Sequence, residues 1–597
     1  MFLPTTVTEQ SSLGWTALDI IFVTGDAYID SPFTGVALLG KLLVSQGFRV
    51  GIIAQPDMTT GNDITRLGEP GLFWGITAGT VDSMVANYTA SGKRRKSDDY
   101  TPGGINSRRP DRAVIAYTNL VKHHFRATRP IVLGGIEASL RRISHYDFWS
   151  DSIRRSILAD AKADYLIYGM AEKSLTAFAR ALKQGQDVKA IPGLCYLSGS
   201  VPDGFVVLAS HERVRDDKAA FADSFRLFYD NTDPLTSKGL AQQQDTRFLI
   251  QNPPQLPLSM AELDRLYDLD FERDLHPFHA RDGQVKALDT IGFSLATHRG
   301  CYGECHFCAI AVHEGRTVQW RSRESIVREA KKFLGHPKFK GIIRDVGGPT
   351  ANMYGYECSR KLKSGACKDR RCLFPGVCKN LPVDHSGQIA LLDELKGLPG
   401  VRKVFVGSGI RHDLVLCDKI SGMKYLETVT RDHVSGQMKV APEHVIPAVL
   451  SLMGKPDQKS LLAFKEAFDR LSLKAGKQQF LTYYLIAAHP GCTLADMKAL
   501  KRFALAELGI SPEQVQIFTP TPSTWSTLMY HTGLDPFTGK TLFVERLAPA
   551  REAQKRAVTD KGLPRRQESG PGKASLKPSR DRQKRGRGLP RKSRSPQ

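Results

Sequence analysis

Short apolar runs and amphipathic stretches alternate along the first part of the chain. Residues 17–24 form a largely apolar run, Gly35–Ser45 carries the spacing of a helix, and residues 48–54 return to a strand. Ile131–Leu133 leads into Gly134 and Gly135, and residues 165–168 lead into Gly169 and a helical stretch over 172–182. Strand, glycine, helix in repetition predicts a parallel sheet flanked by helices, so the expected class is α/β with a Rossmann-like domain over residues 1–195. In such sheets ligands bind beyond the carboxyl ends of the strands, which makes Gly25, Asp26, Asp57, Gly134, Gly135 and Glu137 candidate ligand positions. Each glycine reads equally well as a turn.

Residues 196–287 read as a connecting region, with a helix over 218–229, a polar run at 242–245 and a proline-rich stretch at 252–257. From residue 288 the alternation resumes. Strands are expected at 290–295, 341–346, 403–406, 437–440, 481–486 and 514–518, with a helix at 322–334. Six strands with helices between them fit a partial parallel barrel over residues 288–547.

The first of these strands runs into a loop that holds Cys301, Cys305 and Cys308 within eight residues, with Gly300 and Gly303 among them. Thiols so close suit ligation better than packing. A cubane iron–sulfur cluster held by three thiolates leaves one iron open to a small molecule. A zinc site with His306 as fourth ligand and a loop of unligated thiols are the alternatives, although His306 sits awkwardly between two of the proposed ligands. A second group, Cys358, Cys367, Cys372 and Cys378, lies in a cysteine-rich insertion at 355–380 among Lys361, Lys363, Lys368, Arg370 and Arg371. Basic neighbours favour thiolates, but the paired spacing of common zinc sites is missing. An auxiliary iron–sulfur cluster, a zinc staple and no metal all remain open for this group.

Other strand ends carry chemistry of their own. Gly347 and Gly348 follow the second strand, Ser408 and Arg411 follow the third, Glu443 and His444 the fourth, and His489 the fifth. Ser408 offers a hydroxyl and Arg411 a bidentate fork. Each histidine reads first as structural. No Walker-type phosphate loop, Gly-x-Ser-x-Gly elbow or His-Glu-x-x-His helix competes with the cysteine loop.

Composition narrows the setting. Seven of the ten cysteines fall between Cys301 and Cys378, which fits reduced, metal-directed use in a cytoplasmic protein, and no apolar run approaches the roughly 18 residues of a membrane span. Of the net charge of +23, residues 551–597 carry +12, from 16 Lys or Arg against 4 Asp or Glu. Residues 548–597 are therefore expected to be a disordered basic tail. Such a tail attracts phosphate backbones or is merely a solvated extension.

The loop Cys301-Tyr-Gly-Glu-Cys305-His-Phe-Cys308 resembles the Cys-x3-Cys-x-aromatic-Cys motif of the radical S-adenosylmethionine (radical SAM) superfamily, with Phe307 in the aromatic slot. Beyond the loop, segments 25–30, 52–57, 134–139, 347–353 and 441–444 together resemble the YgiQ-type radical SAM proteins. The resemblance implies a [4Fe-4S] cluster on Cys301, Cys305 and Cys308, and SAM chelated at the open iron and cleaved by one electron to a 5'-deoxyadenosyl radical. It also implies SAM contacts at Gly347, Gly348, Ser408 and Arg411, and a flavodoxin-type or ferredoxin-type electron donor. Pro349 stands where the superfamily's Gly-Gly-Glu motif is acidic. The substrate is not named, and two further readings accompany the enzyme reading: an RNA-modifying enzyme that uses the basic tail, and a non-catalytic, metal-stabilised nucleic-acid-binding protein. Cobalamin is not expected, because residues 26–32 depart from the Asp-x-His-x-x-Gly loop and no histidine precedes His123.

Overall fold

Two buried faces explain the first strands. The computed structural model describes residues 1–560, and within it Ile20–Thr24 and Val50–Ala54 are buried at every position. Ile21 and Val23 pack with Val114, Tyr117 and Val121 of the helix Ala113–His124, whereas Ile20 and Phe22 pack with Val36, Ala37 and Phe178 of the helices Gly35–Ser45 and Glu172–Lys183. Helices on both sides leave no polar face, so the strands read as continuous apolar runs.

The sheet has nine strands in the order Val206–Leu208, Leu240–Gln244, Arg247–Gln251, Leu194–Ser198, Tyr165–Ile167, Ile131–Leu133, Phe73–Thr77, Ile20–Thr24, Val50–Ala54. The last five are mutually parallel. Leu194–Ser198 and Arg247–Gln251 join antiparallel, so the expected connecting region at 196–287 supplies three strands of the main sheet instead of a linker. Its polar run is a strand because Gln242 and Gln244 are buried and bonded: Gln242 accepts from the Ser144 amide at 2.8 Å and Gln244 from the Ser156 amide at 3.1 Å.

A separate hydrophobic core organises the second half. Leu295–Ala296 pairs in parallel with Val346–Gly347, Ile342–Ile343 with Lys403–Val404, and Gln437–Glu443 with Phe480–Ala487, which pairs with Gln516–Ile517. A parallel bridge between Ile410 and Val440 connects the third and fourth segments. The expected strand at 290–295 shrinks to its end, since Leu288–Ile291 is helical.

The C-terminal segment ties the two cores together. Trp525 of the helix Trp525–Thr532 packs on Phe225 and Tyr229, with ring centroids at 4.9 and 5.0 Å. The expected disordered tail is corrected at its start: Ala548–Thr559 is a helix whose Arg551, Gln554 and Val558 are buried, at the spacing of one helical face. Gln554 accepts from the Ala488 amide at 2.9 Å and donates to the Cys492 carbonyl at 3.1 Å. Residues 561–597 lie outside the described residues. Among the described residues no helix is long and apolar enough to cross a membrane.

Candidate functional site

The cysteine loop is shaped by two glycines. Gly300 has φ +83° and a side chain there would lie 2.3 Å from the Thr317 carbonyl oxygen, so the turn after His298–Arg299 admits glycine alone. At Gly303 a Cβ would sit 3.2 Å from the sulfur of Cys301 and 3.5 Å from that of Cys305, so the two thiols face each other across a bare backbone. The Gly303 amide donates to Cys301 Sγ at 3.3 Å. Cys301, Cys305 and Cys308 are half-buried and unbridged. Burial, with the neighbouring Cys305, pushes the Cys301 thiol up and the Cys308 thiol far up. Such thiols ionise only where positive charge compensates them.

Arg411 supplies part of that charge. Its guanidinium is buried, its Nε donates to Asp413 at 2.8 Å and its Nη2 also donates to Asp413. Its Nη1 points at Cys305 Sγ, 3.8 Å away. The fork expected to receive a carboxylate of SAM is therefore already closed on Asp413, and the remaining N–H serves the cysteines.

Beside the loop lies a cavity of about 480 Å³, lined by Gly347, Gly348 and Ser408 from the second half and by Asp26, Gly134 and Gly135 from the N-terminal sheet. At Gly348 a Cβ would lie 2.7 Å from both the His298 carbonyl oxygen and His298 Nε2, so the close approach there requires glycine. Ser408 does not offer a free hydroxyl: its side chain donates to Asp345, which also accepts from the Gly407 and Ser408 amides at 2.7 and 3.0 Å. Asp345 was not singled out from sequence, although its carboxylate fixes the turn that follows the third strand. Burial lowers His298 to about 4, so the ring is neutral.

Of the N-terminal candidates, Asp26 faces the cavity with its carboxylate held by Arg109 Nη2 at 2.7 Å and the Thr80 hydroxyl at 2.7 Å. Gly25, Asp57 and Glu137 do not line it. Gly25 backs onto the Ala78 carbonyl, Asp57 caps its own exposed turn at Thr59, and Glu137 is buried accepting from Ser83 and the Val114 amide. Most of the cavity's lining is apolar, including Phe22, Phe33, Leu39 and Leu175. Arg299, next to the cysteine loop, ion-pairs with Glu172 and so clamps the loop to the N-terminal half.

The remaining candidates are structural in their contacts. Glu443 is buried, raised by desolvation and 3.6 Å from Lys455. His444 lies 3.6 Å from Cys492, and His489 bonds the Ser526 hydroxyl at 2.7 Å. In the second cysteine group, Cys358 is buried in a small core with Tyr302, Tyr356 and Leu373, which Cys372 and Cys378 flank. Lys361 reaches Cys372 at 4.0 Å.

The Radical SAM N-terminal family model matches residues 2–294, and a domain of unknown function, DUF3362, matches residues 513–569. A UPF0313 protein of Fusobacterium nucleatum is 55% identical over 561 residues, covering 94% of this chain and 99% of that one. UPF0313 proteins of Thermotoga maritima and Methanocella arvoryzae are 51% and 47% identical, covering 94% and 90% of this chain and 98% and 89% of theirs. Among solved structures, the chain is similar to the radical S-adenosylmethionine methyltransferase TsrM of Kitasatospora setae with cobalamin and a [4Fe-4S] cluster bound, at TM-score 0.49 and 15% identity over 86% of this chain and 77% of that one. It is also similar to the cobalamin-dependent S-adenosylmethionine radical enzyme OxsB with aqua-cobalamin and S-adenosylmethionine bound, at TM-score 0.49 and 13% identity over 89% and 58%. Its identity to these relatives over nearly its whole length places the chain in the UPF0313 family, and the N-terminal match makes it a member of the radical SAM superfamily of enzymes.

Proposed function

We propose that Cys301, Cys305 and Cys308 hold a [4Fe-4S] cluster, that SAM binds beside it at Gly347 and Gly348, and that the substrate is a small, largely apolar molecule. The donor set fits the cluster: three unbridged thiols around a glycine, with a buried guanidinium to offset the charge of the thiolates. When bound, the pair supplies one-electron cleavage of a sulfonium, so the expected first step on substrate is hydrogen abstraction. The chain's own residues do the rest. Gly348 lets the backbone pack against His298 at the cavity wall, Asp345 holds the Gly407–Ser408 turn, Arg411 aims a buried N–H at Cys305, and the Arg299–Glu172 pair keeps the loop against the cavity.

The cavity carries the substrate assignment. Its lining joins the candidate SAM glycines to the strand ends of the N-terminal sheet and is mostly apolar. His313 Nδ1, on its wall, is buried without a hydrogen-bond partner among the described residues, which suits a polar group on an otherwise apolar ligand. We read residues 1–195 as a Rossmann-like domain and the six parallel segments after residue 288 as a partial (β/α)6 barrel, with the cavity between their carboxyl edges. Cobalamin stays outside the proposal, since Asp26 and Asp30 of the loop are engaged by Arg109 and Lys41.

The test is anaerobic incubation with SAM and reductant in the presence of small-molecule or RNA fractions of a cell extract. Small molecules should raise 5'-deoxyadenosine release; stimulation by RNA alone would overturn the substrate assignment. The RNA reading has one support, the +12 of residues 551–597. Its truncation test belongs after Asp560, because a cut at Arg551 would remove a folded helix.

A further inference from the structure

The insertion at 355–380 lies directly on the cysteine loop. Tyr302 donates its hydroxyl to the Tyr356 carbonyl, Arg371 Nη1 donates to the Glu304 carbonyl at 3.4 Å, and the rings of Phe374 and His306 are 6.1 Å apart. Lys361, turned inward, pairs with the buried Glu357 at 2.9 Å. The outward side is different. Arg360, Lys363, Lys368, Arg370 and Lys379 are exposed, Asp369 is the one exposed acid among them, and among the described residues none of the five cations is ion-paired.

Unpaired cations crowded into some twenty residues repel one another. A surface kept only for solubility would mix the signs. A one-sign surface steers and orients a partner of opposite charge, and here it is carried by the segment whose other residues touch the cysteine loop. A polynucleotide is the weaker fit, because one exposed aromatic ring, Phe537 beneath Arg371, adjoins the insertion, too few to stack successive bases.

We propose that this face docks the acidic electron-transfer protein that reduces the enzyme. One electron would leave the reduced flavin or iron–sulfur centre of the donor, oxidising it by one electron, and would be taken up by the cluster that Cys301, Cys305 and Cys308 would hold. The proposal rests on the cluster reading above.

The test uses the cluster-loaded enzyme carrying Lys363→Glu, Lys368→Glu, Arg370→Glu and Lys379→Glu, with 5'-deoxyadenosine release measured under two reductants. With dithionite, a small anion that needs no docking, turnover should stay within about twofold of the parent. With reduced flavodoxin the KM for flavodoxin should rise at least tenfold and lose most of its salt sensitivity, and the Kd for oxidised flavodoxin, titrated without turnover, should rise with it, whereas an unchanged Kd overturns the proposal. A control carrying Lys403→Glu, Lys459→Glu, Arg470→Glu and Lys498→Glu, which changes net charge equally on exposed positions elsewhere, should keep its flavodoxin KM. Unchanged flavodoxin kinetics in the first variant overturns the proposal, and so does an equal loss in the control. Proportional loss with both reductants also overturns it, since the change would then act on the loop itself. Lost RNA binding with intact flavodoxin turnover would reassign the face to a nucleic acid. A parent that releases no 5'-deoxyadenosine with dithionite contradicts the cluster reading instead.

Discussion

Replacing Arg411 with Met isolates the electrostatics behind the cysteine loop. Arg411 and Asp413 are 6% and 7% exposed, and both hydrogen bonds to the Asp413 carboxylate come from this one guanidinium. Charges about 4 Å apart at an effective dielectric of 20 attract by about 4 kcal/mol. Removing one partner of a buried pair costs about 3–5 kcal/mol, because the other charge stays desolvated. Arg411→Met should therefore lower stability by that amount, measured as the shift of the urea midpoint at fixed slope under anaerobic conditions. Adding Asp413→Leu should recover most of the loss, since the orphaned carboxylate is gone. Cluster loading should fall in both variants, because neither offers Cys305 a cation. A single variant costing under about 1 kcal/mol, or a double variant less stable than the single, would refute the reasoning.

Three other outcomes follow from the geometry. Gly348→Ala places a methyl 2.7 Å from the His298 carbonyl oxygen, and overpacking against backbone should cost about 1–3 kcal/mol by urea denaturation and weaken SAM binding. Gln554→Ala leaves the buried Ala488 amide without its acceptor and should cost about 1–3 kcal/mol, a loss that an unpacked tail would not show. Burial holds His145 and His279 neutral, each lowered to about 3, so their contribution is full above about pH 6.5 and drains as pH falls toward 3, by at most about 1.4 kcal/mol per unit for each ring. The urea midpoint should drop between pH 6.5 and 4.5, and His145→Gln should make that drop shallower; an identical pH profile would show that the ring does not titrate on unfolding.

Where one physical signal dominates a segment, the sequence is readable. The helix Gly35–Ser45 matches its expected bounds residue for residue, and Ser322 caps the helix Arg323–Leu334 as its polar start implies. The cysteine loop is legible because three thiols and two glycines have few other uses together. The strand Leu240–Gln244 is illegible alone, since Gln242 and Gln244 are buried only by virtue of Ser144, Ser156 and Ala209, each more than 30 residues away. Helix Ala548–Thr559 is hidden by the basic composition that follows it, although Arg551, Gln554 and Val558 share one face. The expected role of Arg411 in pairing a carboxylate of SAM could not anticipate that Asp413, two positions on, closes its fork.

The most direct test of the account is iron content and 5'-deoxyadenosine release by the anaerobically reconstituted protein beside its Cys301→Ala, Cys305→Ala, Cys308→Ala variant, with iron also counted in a variant of Cys358, Cys367, Cys372 and Cys378. The parent should carry a [4Fe-4S] cluster and cleave SAM steadily, and loss of the first three cysteines should abolish both the SAM cleavage and the iron of that loop. Zinc bound at the loop, or undiminished SAM cleavage without Cys301, Cys305 and Cys308, would contradict it.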